Sequence, residues 1–284
     1  MLMTSQPQQN RARRIARTLR AVPTNAGTNI NLNRVIGTEG LPHLDPFLVF
    51  DELNASRFSA IAGGFPDQTC RGFDSVTYVI KGRLKYTDNT GRHSVTESGG
   101  LQWLTSGRGL THSEMPELAD GEIQAFQFWL NLPRSEKMQA PAFRTFDATD
   151  IPAVIFTEAE VRLIAGRFYG LQGPVTPQAT RAFIAEVILK PEGEITLPMD
   201  EGHNGFVYVY EGGGAIGQVL LSSGQAGILE SGNVLNIAAG QAGARLMVMT
   251  ALPLNEPIIR HGPFVMTAHE EIKQAFTDYQ NGLF

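Results

Sequence analysis

Only one cysteine, Cys70, occurs in 284 residues, so no disulfide can form within the chain. Long apolar runs are also missing: no stretch is long enough to span a bilayer or to form the core of a secretory signal. These absences point to a cytoplasmic protein with no membrane partner, although the Arg-rich start has the composition of a transit peptide. Nor is there an excess of positive charge. Lys and Arg number 23 against 28 Asp and Glu, a net charge of -5, which gives no general attraction to a nucleic-acid backbone. The one basic run, RARRIARTLR, carries Arg11, Arg13, Arg14, Arg17 and Arg20. Because it lies near an end, it is expected to be a solvated segment instead of a nucleic-acid arm.

What is abundant is punctuation. Thirty glycines and sixteen prolines are spread along the chain, which favours many short elements over a few long helices and so an all-β class. Residues 75–96 alternate β-branched and aromatic residues on either side of Asp88-Asn89-Thr90-Gly91, the pattern of a hairpin. Residues 123–132 alternate again and are closed by Pro133. A polar, proline-bearing segment over 132–152 suits a linker, dividing the chain into units 11–141 and 142–284. The halves echo each other: SVTYVIKG (75–82) and GFVYVYEG (205–212) suggest a duplicated barrel. Helical spacing appears only near the end, where Thr267-Ala268-His269-Glu270 reads as a capping box and Ile272, Ala275, Phe276 and Tyr279 form one stripe. That helix needs a barrel surface to bury against.

Chemistry is concentrated in GRGLTHSEMP (107–116). His112 and Glu114 are two apart, and on a strand both side chains enter the same barrel interior. Such a pair suits a divalent iron, manganese or nickel ion; taken alone it equally suits a hydrogen-bonded histidine and a paired acid. His203 has no partner of this kind, so the second barrel reads as structural. His43, His93, His261 and His269 fall in turns or at the helix start, where surface roles are expected.

Long ordered motifs then become recognisable. LPHLDPFLVFDE, GGFPD followed by CRGFDSVTYVIKG, LQWLTSGRGLTHSEMP, FQFWLNLP and the closing EPIIRHGPFVMTAHEEIKQAFTDYQNGLF resemble the pirin family over nearly the whole chain, from Arg34 to Phe284. The resemblance implies a bicupin: two tandem antiparallel β-barrels, the first holding a single metal, usually iron, with the terminal helix packing back. It also implies quercetin 2,3-dioxygenase activity in some members and regulatory contact with protein partners in others. In such proteins the metal sits on a His-Pro-His segment and a His-x-Glu pair. Here the pair is retained as His112 and Glu114, with Glu114 the base that would take a flavonol proton. The His-Pro-His segment falls on Gln68, Thr69 and Cys70.

Two readings of that substitution stand. A thiolate at Cys70, favoured by the charge of Arg71, would join His112, Glu114 and Gln68 around zinc or ferrous iron. Alternatively Cys70 packs as a small apolar residue and the site has decayed, leaving a binding or regulatory protein with weak or no dioxygenase activity. A pocket lined by Phe65, Phe73, Gln102 and Trp103 would take a flat flavonoid-like ligand, or those aromatics are barrel core.

Overall fold

The computed structural model describes residues 10–26, 30–56, 64–117 and 122–284. In chain order the strands of the first half are β1 (Ile15–Arg20), β2 (Val22–Ala26), β3 (Ile30–Ile36), β4 (Phe47–Ser56), β5 (Phe65–Cys70), β6 (Phe73–Lys81), β7 (Arg83–Asp88), β8 (His93–Glu97), β9 (Leu101–Thr105), β10 (Leu110–Glu117), β11 (Glu122–Asn131) and β12 (Ala142–Phe146). The second half holds β13 (Ala153–Ile155), β14 (Ala159–Ala165), β15 (Arg167–Phe168), β16 (Leu171–Gln172), β17 (Phe183–Leu189), β18 (Glu194–Pro198), β19 (Asn204–Ile216), β20 (Val219–Ser222), β21 (Gln225–Leu229) and β22 (Val234–Ala251). A hairpin of β23 (Ile259–His261) and β24 (Phe264–Met266) leads into the helix α1 (His269–Gln280).

In the first half a seven-stranded sheet, ordered β12-β9-β6-β11-β4-β3-β2, faces a four-stranded one, β5-β10-β7-β8. Leu32, Leu53, Val79, Ile123 and Ala125 of the larger sheet pack against Phe65 and Leu84 of the smaller. The second half is a nine-stranded sheet folded over an aliphatic interior that includes Val187, Leu197, Val207 and Val248. This is the expected all-β, two-cupin architecture, although β-pairing does not close a ring in either half among the described residues. The barrels meet through Phe47, Phe50, Phe126 and Phe128 against Phe206, Tyr208, Met247 and Met249. Polar groups in that seam are paired: Tyr78 donates to Glu186 at 2.7 Å and Tyr208 to Glu52 at 2.6 Å.

The hairpin expected over 75–96 forms only in its second part. Asp88 Oδ1 accepts from Thr90 N, Thr90 Oγ1 and Arg92 N, and this turn joins β7 to β8. β6 lies instead in the other sheet. The chain passes between sheets at Gly82, whose φ is +87° and where a Cβ would meet Glu122 O at 2.4 Å.

The division into units 11–141 and 142–284 is crossed by strand pairing in both directions. β1 leaves the first half and pairs with β21 of the second, Thr18 opposite Gly227. β12 belongs to the first barrel, pairing with β9. The segment read as a linker also holds a buried Lys137, whose Nζ donates to Gly72 O, Asn131 Oδ1 and Val265 O. The basic run is solvated at Arg11, Arg14, Arg17 and Arg20, as expected, with one exception. Arg13 is buried and donates to Gly232 O at 3.0 Å and His203 O at 2.9 Å, so a guanidinium fastens the chain start to the second barrel.

α1 forms as expected, but Ala268 is its N-cap and the acid that closes the start is Glu271, not Glu270. The Glu271 carboxylate accepts from Thr267 N and Oγ1 and from Ala268 N. Ile272 and Ala275 are buried with Phe264 and Met266, whereas Tyr279 is largely exposed. The helix reaches the first barrel through Asp278, which pairs with the buried Arg71 at 2.8 Å. No helix among the described residues is long and apolar enough to cross a membrane.

Candidate functional site

β10 shows why His112 and Glu114 share an interior: in LTHSEMPE every second residue from Leu110 to Glu114 is buried. β5 lies alongside with Leu110 opposite Cys70, Thr111 opposite Thr69 and His112 opposite Gln68. Directly opposed residues point to the same face, so Gln68 and Cys70 join His112 on the interior side. Gly63, which opens the GGFPDQTCRGF motif, lies outside the described residues.

Glu114 is the centre of the polar interior. Gln127 Nε2 donates to its Oε2 at 2.7 Å and Thr77 Oγ1 at 3.3 Å, and His112 Nε2 stands 4.0 Å from Oε1. Burial outweighs these bonds and pushes the carboxyl up to about 7. The same burial lowers His112 to about 4, so its ring is neutral. Buried His112 Nδ1 and Gln102 Nε2 have no hydrogen-bond partner among the described residues. A carboxyl that titrates near neutrality beside a neutral imidazole is suited to exchanging a proton with a weakly acidic hydroxyl.

Cys70 is in different surroundings. It is buried among Leu48, Phe73 and Val265. Burial, with a smaller contribution from the charge of Glu114, raises its thiol well above the ordinary range. Arg71 does not activate it: that side chain donates to Arg108 O, pairs with Asp278 and lies over the Phe284 ring. Those contacts hold the buried guanidinium against the terminal segment, away from the thiol's apolar surroundings. No three His, Cys, Asp or Glu side chains among the described residues are grouped as metal ligands would be.

A cavity of about 500 Å³ opens beside this interior, lined in part by Phe65, Gln68, Gln127, Trp129, Arg260 and Tyr279. Of the four pocket residues expected, only Phe65 lines it. Phe73 stacks on Trp129 at 4.2 Å behind the wall, and Gln102 lies deeper, accepting from Thr96. Trp103 faces away: its Nε1 donates to Asp74 Oδ2 at 2.9 Å, in a smaller cavity at the seam of the two halves. Gln102 and Trp103 are consecutive on β9, so they cannot share an interior. Gln127, Trp129 and Arg260 escaped the sequence reading. Gln127 does carry a signal, being a polar residue flanked by Phe126 and Phe128 in FQFWLNL.

The family model described as pirin matches residues 29–130, and that of the pirin C-terminal cupin domain matches 184–284. The chain belongs to the pirin family. A pirin-like protein of Caulobacter vibrioides is 36% identical over 278 residues, covering 96% of this chain and 99% of the relative. Human pirin is 33% identical, covering 90% of this chain and 88% of its own. Among solved structures, a quercetin 2,3-dioxygenase from Acinetobacter baumannii superposes with a TM-score of 0.89 at 27% identity, covering 96% of this chain and 99% of the other.

Proposed function

We propose that the first barrel of this pirin-family protein binds a planar phenolic molecule, a flavonol being the type, as a binding or regulatory protein with weak or no dioxygenase turnover. The observation that carries the reading is that an amide, Gln68, faces His112 where the family places an imidazole. The donor set does not fit a tightly held transition metal. An amide oxygen is a weak ligand, Cys70 is packed with apolar side chains in a protonated thiol form, and Glu114 is engaged by Gln127 and Thr77. The iron of the family would supply a Lewis acid and a route to dioxygen; without it, binding is what this chain's own residues can perform. Trp129, stacked on Phe73 and covered by the Arg260 guanidinium, forms a wall of the cavity with Gln127, and Glu114, poised near neutrality behind Gln127, is the group that would exchange a proton with a phenolic hydroxyl. Such a protein acts through occupancy, reported to a protein partner.

A second reading keeps an enzyme: a quercetin 2,3-dioxygenase with zinc or ferrous iron on Cys70, His112 and Glu114. The shared interior face of β5 and β10 favours it. Metal content per chain and quercetin consumption, measured for protein purified without chelator and for Gln68→His with Cys70→His, separate the two. The binding reading expects quercetin to bind without being consumed, substoichiometric metal in the wild type and metal gained by the double variant. Stoichiometric metal that disappears in Cys70→Ala, with turnover, would replace it by the enzyme.

A further inference from the structure

The second barrel has a cavity of its own, about 510 Å³, at its rim, within the range of small-molecule sites. The two barrels can be compared through their registers. Ser75 pairs with Trp129 in the first and Gly205 with Thr250 in the second. SVTYVIKG and GFVYVYEG set Ser75 against Gly205, so Thr250 takes the place of Trp129 and His203 that of Phe73. Where the first barrel stacks Phe73 on Trp129, the second brings His203 Nδ1 to 3.4 Å from Thr250 Oγ1. The aromatic rim has become a polar one. Below it the interior is aliphatic and filled, so a ligand is held at the mouth.

The charge at this mouth is unbalanced. Arg167 and Arg181 both line the cavity, and neither guanidinium has an ion-pair or hydrogen-bond partner among the described residues. Arg181 is held at φ +44°, and its charge reaches His203. His203 is buried, and its Nε2 makes no hydrogen bond, lying 3.4 Å from Asp200 Oδ2 without alignment. Asp200 also lines the cavity, so two cations face one acid and the surplus is a single positive charge. Phe183 and Met199 supply an apolar wall.

We propose that this mouth binds a small organic monocarboxylate, its carboxylate between Arg167 and Arg181 and its apolar body against Phe183 and Met199. Two guanidiniums match a carboxylate in charge and hydrogen-bonding geometry, and Asp200 opposes a second negative charge on the ligand. The proposal is independent of what the first barrel binds. Calorimetric titration of the full chain with benzoate and with hexanoate tests it, with benzyl alcohol as the uncharged counterpart and inorganic phosphate as the anion without an apolar body. At least one carboxylate is expected to bind more tightly than both controls. Its affinity is expected to fall about tenfold in Arg181→Gln and in Arg167→Gln, the loss of one charge-assisted bond, and to be unchanged in Gln127→Ala of the first barrel. Both arginines are exposed, so these variants keep the fold. Failure of both carboxylates to bind at millimolar concentration, equal binding of benzyl alcohol or phosphate, or unchanged affinity in both arginine variants would overturn the proposal.

Discussion

Gln68 stands directly across the β5–β10 ladder from His112, on the same face of the sheet. The pairing sets a neutral amide against a neutral imidazole on the interior side. The polar interior that remains is organised around Glu114, with Gln127 as its closest donor at 2.7 Å.

Gln127 is therefore the residue through which the site's acidity can be tuned. In Gln127→Leu the carboxylate form of Glu114 loses its shortest bond and keeps the longer one from Thr77 and the contact with Gln102, so its titration should move above the present value of about 7. Stability should fall by about 1 kcal/mol, one lost hydrogen bond in the interior. Carboxyl infrared bands followed against pH, with urea unfolding, measure both; an unmoved or lowered titration contradicts the assigned contact.

Cys70 should be silent towards thiol reagents in the native protein. It is 1% exposed and its thiol is raised by burial, so modification by a disulfide reagent is expected to follow the rate of unfolding. Adding a chelator should leave that rate unchanged. An increase in labelling on chelation would mean that a metal had been holding the thiolate.

Arg13 is expected to be the most costly residue of the basic run to remove. Its guanidinium serves Gly232 O, Asp200 O and His203 O from a buried position. Arg13→Ala leaves those carbonyls short of a donor, and a loss of about 2–4 kcal/mol is expected. Arg13→Lys should recover little, since one ammonium cannot reproduce the planar fork. Urea midpoints for both variants, beside an exposed control such as Arg14→Ala, provide the measurement.

Asp74 gives the pH dependence of the seam. Burial raises its carboxyl to about 6 despite the bond from Trp103, so the folded protein holds this proton more tightly than the unfolded chain does. Its contribution to stability is present at low pH and is lost as pH rises from about 4 through 6, on the order of 2 kcal/mol. Thermal unfolding of Asp74→Asn should lack that slope; a slope identical to wild type would refute the assignment.

Much of the fold was legible because strand alternation and turn residues are local signals. The Asp88–Gly91 turn, the interior placement of His112 and Glu114 and the helix α1 all follow from spacings of a few residues. Partners distant in sequence were not legible. Nothing in IARTLR says that it pairs with QAGIL some 200 residues later, nor does the composition of the supposed linker disclose that AFRTF completes the first sheet. At the candidate site, Trp103 was misplaced although strand parity was available: Gln102 and Trp103 could not both face inward. Arg260 joins the cavity from the β23–β24 hairpin, and only the packing of the terminal segment reveals it.

The crossing of the two ends between barrels bears on how the protein is made. While a ribosome is still translating the second half, Arg71 has neither Asp278 to pair with nor Val265 to bond, and β1 has no β21. The first half cannot be finished when its own residues have emerged. The nascent chain must carry an unsatisfied edge until the last strands and α1 arrive, and folding becomes a single late event instead of two successive ones.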